Sequence, residues 1–464
     1  MPLGPIGLWL VLSLALVACS VVPSNLRRWR WALLAAVVVV LVASVALAGL
    51  AQPEPLPRFH GGLTFDEVAH LLLPPLWIGA AIAIATALFL PSGRYEPAIG
   101  ALTTAAATAG VLSANALLTI ALLQAGALIV LAGLLVHDEG LSGHPLLNVA
   151  TSLKFLTLTV LSGACLVMAL LLSTFYALNQ DRVELTRIIA AVFVVGFGLA
   201  AGAMPFYFHV PDIFDAAPTL ATVSLVGPMQ CLAFVYLIRT IGNGPSLLTD
   251  QHVSNVLVAG ALAGALLASV LAFGQRRLNR ILAFNAMREV SWVAFGLASV
   301  SRGGWTGALV LLTVRCVSQP VLLVASRAAQ QRAGEIELDK LGELAKVLPL
   351  AAFAWSAAAF ASLGLPPAGS FWGLAALLRA AMAAGGLATA TLLASGMFGL
   401  WRLGQVTYAV FWRRARGFVD PAAEPAAPKW ILATAGVGLI AVGCVPRLVQ
   451  APIDQVLANL PFLR

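Results

Sequence analysis

Long apolar runs separated by short polar segments fill this chain from end to end. Each run approaches the ~20 residues that an α-helix needs to cross the hydrocarbon core of a bilayer. Helices are expected around Leu12, Val40, Ala80, Ala105, Ala125, Leu161, Val195, Met229, Leu262, Ala294, Val310, Ala358 with Leu377, Ala394 and Gly436. That is about fourteen spans by the twenty-residue rule. The polar stretches between them are too short for a separate soluble domain. The segment Glu335–Lys346 (EIELDKLGELAK) reads as an amphipathic helix lying on the membrane surface.

Two runs are interrupted. GFGLAAGAMPFYFHVPDIFDAAPT, residues 196–219, holds Gly202, Pro205 and Pro211 together with His209, Asp212 and Asp215. About five spans later, Ser362–Gly369 (SLGLPPAG) carries Pro366 and Pro367. A proline removes a backbone donor and clashes with the preceding turn, so both helices should break there. Irregular backbone at membrane depth survives only where protein or trapped water satisfies it. A pair of interrupted spans in corresponding places is the sequence mark of transporters built from inverted repeats.

Composition strengthens the membrane reading. Of 464 residues, 60% are hydrophobic and only 10% charged, where soluble chains carry roughly 25% charged residues. The net charge of +8 does not point to nucleic acid, because the basic residues fall in loop clusters. Arg27–Arg30, Arg94, Arg276–Arg280, Arg327–Lys346 and Arg413–Lys429 follow odd-numbered spans, whereas Arg58, Arg182, Arg187, Arg239, Arg302, Arg447 and Arg464 are sparser on the other side. The positive-inside rule then places both termini on the non-cytoplasmic side. Cys19, Cys165, Cys231, Cys316 and Cys444 are far apart and sit in apolar segments, so they read as packing residues, with neither a disulfide framework nor a metal site. Leu16–Cys19 looks like a lipoprotein cleavage box but lacks a basic stretch before it, and a retained first span is expected. No nucleotide loop, hydrolase site or nucleophile motif is present.

The segment Pro205–Phe214 (PFYFHVPDIF), followed by Ala217-Pro218-Thr219, resembles the PFHxWxPDxYxxAPT signature of the antiporter-like membrane subunits of respiratory complex I, closest to the subunit N type. Gln275–Asn285 (QRRLNRILAFN) is similar to the family's QxxLKRxLAYSS, and Leu363–Gly369 to its SLxGxPPxxGF segment. Asp339–Leu350 resembles the loop before that segment. The resemblance covers roughly Asn115 to Trp412 and implies an all-α polytopic protein with two inverted five-helix repeats, each holding a broken helix. It divides the chain into three N-terminal helices (1–96), a first repeat (97–240), a second repeat (241–412) and a loop with a last helix (413–464). In the family, a glutamate on span five and lysines on spans seven, eight and twelve build a hydrated proton path.

Those positions are substituted here. They fall at Gln124, Ala200, Met229 or Gln230, and Leu374. None of these side chains exchanges protons near neutral pH. The signature histidine is Tyr207, with His209 two residues on. Charge remains at Lys154, Arg288, Glu289 and Arg315, candidates for a residual proton path or a buried ion pair. Arg288 and Glu289 are adjacent on a helix and point ~100° apart, so Glu289 is expected to meet Arg315 instead. His209, Asp212 and Asp215, at the cytoplasmic end of the first break, read either as a proton entry point or, for the two aspartates, as caps on the next helix, and the caps are expected.

The expected function is that of a non-catalytic membrane-arm subunit in a complex-I-type NADH:quinone oxidoreductase, mainly scaffold or with weakened proton translocation. It would reside in the inner or cytoplasmic membrane among other membrane-arm subunits. The chain itself carries no cofactor signature, and redox cofactors are expected in partner subunits. The alternatives are a subunit of a membrane-bound hydrogenase, formate-hydrogenlyase or multi-subunit cation/proton antiporter, and a free-standing solute transporter.

Overall fold

A computed structural model of the full chain describes residues 3–21, 23–54, 62–90, 93, 95–135, 145–178, 183–203, 205–243, 251–334, 337–414 and 426–460. Among these residues the fold is helical, with isolated bridges but no strand. Every expected span centre lies in a helix. Ten helices among the described residues are long and apolar enough to cross a membrane.

In chain order the helices are α1 (Leu3–Val21), α2 (Pro23–Leu50), α3 (Glu67–Ala87), α4 (Glu96–Leu112), α5 (Ala116–Leu135), α6 (Pro145–Leu178), α7 (Val183–Ala201) and α8 (Val210–Ala216). Then come α9 (Thr219–Asn243), α10 (Gln251–Leu271), α11 (Leu278–Ala298), α12 (Arg302–Ala333), α13 (Pro349–Leu363), α14 (Ser370–Ala384), α15 (Gly386–Phe411), α16 (Ala426–Cys444) and α17 (Arg447–Ala458).

Burial sorts these helices by their surroundings. In α9, α11 and α12, 94% of the most apolar window is buried, against 28% in α2 and in α6. The first three therefore form the centre, and they are also the helices that carry Gln230, Glu289 and Arg315. The outer helices present leucine and valine outward, as a lipid-facing surface requires.

The two interruptions are built alike. Helix α7 stops at Ala201 and Gly202 takes φ +65°; α13 stops at Leu363 and Gly364 takes φ +68°. In each, a backbone N–H two residues past the helix reaches back five residues: Ala203 to the Gly198 carbonyl (2.8 Å) and Leu365 to the Phe360 carbonyl (3.0 Å). This is the Schellman arrangement, which needs a left-handed residue after the helix and takes glycine there without steric cost. A third irregularity lies in α9, where Leu225–Met229 forms a π-helical turn around Pro228. Its wider turn shifts the register of the rest of that helix.

Two expectations are corrected here. Glu335–Lys346 is not a surface helix: 335 and 336 lie outside the described residues, and only Leu344–Val347 is helical. Its apolar residues Leu338, Leu341 and Leu344 are buried, and its backbone is held by the Arg276 carbonyl and the Arg413 side chain. Arg239 is not a loop residue but lies in α9, 1% exposed. Arg58, Arg182 and much of the loop between Arg413 and Lys429 fall outside the described residues.

Candidate functional site

The ends of the two broken helices leave carbonyl oxygens that their own helices cannot satisfy. Polar side chains of α9, α11 and α12 reach both ends and join them into one chain of hydrogen bonds. At the first break, Gln230 Nε2 donates to the Ala201 carbonyl at 2.7 Å. The Gln230 side-chain oxygen accepts from Arg315 Nη2. Arg315 Nη1 donates to Glu289 Oε2 at 2.8 Å. Glu289 Oε1 also accepts from Gln319 Nε2 at 2.8 Å and from Asn285 Nδ2 at 3.3 Å. Asn285 Oδ1 accepts from Arg288 Nη2 at 2.7 Å, and that nitrogen donates in turn to the Ser362 carbonyl at 2.9 Å, at the second break.

The sequence accounts for each placement. Arg288 and Glu289 each lie about one turn from Asn285 on α11, so both reach its side chain on the inward side. Arg315 and Gln319 are four apart on α12 and meet α11 from the same side. The π turn in α9 leaves Met229 against Gly126 of α5, where a Cβ would collide with its sulfur, while Gln230 turns to the centre. The chain's ionisable members, Arg288, Glu289 and Arg315, are each no more than 5% exposed. Two guanidiniums thus face one carboxylate in the interior.

The substituted positions fall elsewhere. Gln124 of α5 packs against Gly163 of α6, and Leu374 of α14 against Gly364 in the second break. Ala200 packs on the core one residue before the Ala201 carbonyl. Among the four substituted family positions, only that of span eight enters the chain, through Gln230.

A second cluster surrounds α8. Lys154 of α6 donates to Asp212 Oδ2 (2.7 Å) and to the Phe208 carbonyl (2.6 Å). Arg280 of α11 reaches Asp212 at 3.3 Å and Asp215 at 3.0 Å, and Arg277 reaches Asp215 at 2.6 Å. This corrects two expectations. The aspartates do not cap a helix; opposed cations at contact distance outcompete backbone N–H groups for their oxygens. Lys154 is neither buried nor part of the central chain, its side chain being 41% exposed. His209 is buried against Phe155, at 5.8 Å between ring centres. Pro205, Pro366 and Pro367 lie in the linkers between the helix halves.

Sequence reading missed a buried ion pair. Arg239 meets Asp66 through Nε at 2.9 Å and Nη2 at 2.8 Å; Nη2 also donates to the Val111 carbonyl and Nη1 to the Ser113 carbonyl at the end of α4. Asp66 also caps α3 by accepting from Ala69 N at 2.8 Å. An aspartate directly before an apolar run is the usual helix-start signal and marked Asp66, but nothing local named its partner. Glu96 was missed as well: it accepts from Gly93 N (2.7 Å) and from Leu220 N near the start of α9 (3.3 Å). Cys231 and Cys316, far apart in sequence, bring their thiols together between α9 and α12.

Comparison with known proteins agrees with this architecture. Residues 114–399 match the transmembrane family NADH:quinone oxidoreductase/Mrp antiporter. The chain is 26% identical to NADH-quinone oxidoreductase subunit N of Paramagnetospirillum magneticum over 369 residues, 75% of each chain. It is 27% identical to that of Parvibaculum lavamentivorans over 249 residues, 53% of this chain and 51% of the relative. The chain therefore spans between about half and three quarters of these relatives. Its fold resembles a chain of respiratory complex I from Thermus thermophilus (TM-score 0.84, 17% identity, all of both chains). It also resembles a chain of the Mrp complex from Dietzia sp. DQ12-45-1b (TM-score 0.82, 18% identity, 98% of this chain and 97% of that one). With more than half its length matched and the fold in agreement, this multi-pass membrane protein belongs to the NADH:quinone oxidoreductase/Mrp antiporter family.

Proposed function

We propose that the chain is an antiporter-like membrane subunit of a complex-I-type assembly whose own part in proton transfer is weakened or lost, so that it acts mainly as scaffold. The observation that carries this reading is the make-up of the chain of hydrogen bonds between the breaks. A relay needs groups that exchange protons near the working pH. Guanidinium does not release its proton in proteins, and amides carry none. Among the described residues Glu289 is the single carboxylate in that hydrogen-bonded series, and Arg315 and Gln319 hold it.

The Paramagnetospirillum and Parvibaculum relatives are subunits of NADH-quinone oxidoreductase, which favours that assembly over an Mrp-type antiporter; the Mrp likeness supports the latter as a second reading through its fold. The family match lies within the two proposed repeats, 97–240 and 241–412. Neighbouring membrane-arm subunits, redox cofactors in other subunits, and an inner or cytoplasmic membrane with both termini outside complete the proposal. A solute transporter is less well supported, since the roomy 680 Å³ cavity beside α2, α3 and α16 is apolar apart from His70, Thr313 and Thr434.

Glu289→Gln tests the reading in membrane vesicles of the parent complex. Removing a charge from a fixed pair should leave proton pumping nearly unchanged while lowering the amount of assembled complex. Loss of pumping in a fully assembled complex would show that Glu289 carries protons.

A further inference from the structure

Among the described residues, Arg288 is a cation with no carboxylate in contact. It is 1% exposed. The acid whose field reaches it, Glu289, gives its oxygens to Arg315, Gln319 and Asn285. One guanidinium nitrogen, Nη2, holds Asn285 and the Ser362 carbonyl, and Trp292 lies under the guanidinium with its ring centre 4.7 Å away. The remaining donors, Nε and Nη1, have no hydrogen-bond partner among the described residues. A buried cation in this position is costly unless a counter-charge is supplied.

Beside those donors lies a cavity of about 10 Å³, lined by Arg288, Asn285, Ser269, Gly399 and Arg402 and by apolar residues such as Ile281 and Phe284. The centre of a water-sized sphere can range through that volume, so one particle somewhat larger than a water fits. Among the described residues its walls carry two guanidiniums and no carboxylate, and the acid whose field reaches Arg402, Asp339, lies outside those walls. Arg402 is fixed there by donating to the Ala272 carbonyl (3.0 Å) and the Gln275 carbonyl (2.6 Å). Position 399 must be glycine for the arrangement to exist, since a Cβ would fall 1.5 Å from Arg288 Nη1.

We propose that this cavity binds a single halide-sized anion, held by Arg288 Nε and Nη1 and by the charge of Arg402. The anion balances the second guanidinium of the chain between the breaks. The assignment does not depend on whether the chain conducts protons.

The test uses the full chain reconstituted in lipid nanodiscs. Thermal unfolding is compared in sodium chloride and in sodium gluconate at equal ionic strength, and chlorine NMR line width reports chloride exchange at the protein. The expected result is a higher Tm in chloride and an excess line width that Arg288→Gln abolishes. Should Arg288→Gln not fold, Arg402→Gln, at a partly exposed residue, is expected to fold and to reduce both effects. A wild-type Tm and line width indifferent to chloride would overturn the proposal and leave water as the occupant. An effect unchanged by both substitutions would overturn it too, by placing the anion elsewhere.

Discussion

At the residue scale, the heaviest demand falls on Arg239 and Asp66. Both are essentially inaccessible, at 1% and 0% exposure, and they tie the start of α3, the end of α4 and α9 together. Removing one partner of such a pair leaves an unbalanced buried charge, at about 3–5 kcal/mol. Asp66→Asn is therefore expected to lower the Tm of the purified chain sharply. Asp66→Leu combined with Arg239→Met should recover much of the loss, because it removes both charges together. Measuring the two variants beside wild type checks this; equal losses in the single and double variants would reduce the pair to packing. Residues of this kind are only half legible in a sequence. Glu289 and Arg315 announce themselves as charges within apolar runs on neighbouring spans. Arg239, near the end of a run, reads equally well as a loop residue, and Asp212 and Asp215 read as caps because the arginines that claim them lie more than sixty positions away.

At the element scale, the two breaks are the feature most open to sequence reading, since glycine and proline act through local backbone geometry alone. The matching Schellman ends at Gly202 and Gly364 are a consequence that the residue pattern implied without fixing. Gly364→Ala tests how much the second break depends on its left-handed residue. Alanine there meets both the unfavourable φ and Leu374, whose Cβ would lie 2.9 Å away. The backbone strain alone is about 1–2 kcal/mol. Faster hydrogen exchange is expected at Gly364 and Leu365, with little change at Ala203 in the other break. Equal loosening of both breaks would instead mean that the hydrogen-bond chain between them transmits the strain. The segment Glu335–Lys346 reads as a helix at this scale for a physical reason. Its leucines at 338, 341 and 344 recur at helical spacing, but the backbone finds partners in Arg276 and Arg413 and need not coil.

At the scale of the whole molecule, the question is whether the architecture conducts protons once a single lost group is put back. Ala200 packs on the core at the end of α7, beside the carbonyl that Gln230 binds. A lysine there would enter a region whose nearby polar chain already holds two guanidiniums and one committed carboxylate. An ammonium at membrane depth costs at least about 2.5 kcal/mol on insertion scales, and without an acid to pair with it gives up its proton and stays neutral. The family's acidic partner on span five is Gln124 here, packed on Gly163. Ala200→Lys alone is therefore expected to leave proton flux into liposomes, followed with a pH-sensitive dye under an imposed potential, at the wild-type level. Flux above that level would mean that the fold alone supplies the wet path and that one titratable group suffices to use it. The scaffold reading would then fail even if Glu289 proved inert, because capacity would lie in the arrangement of the helices rather than in the charges they carry.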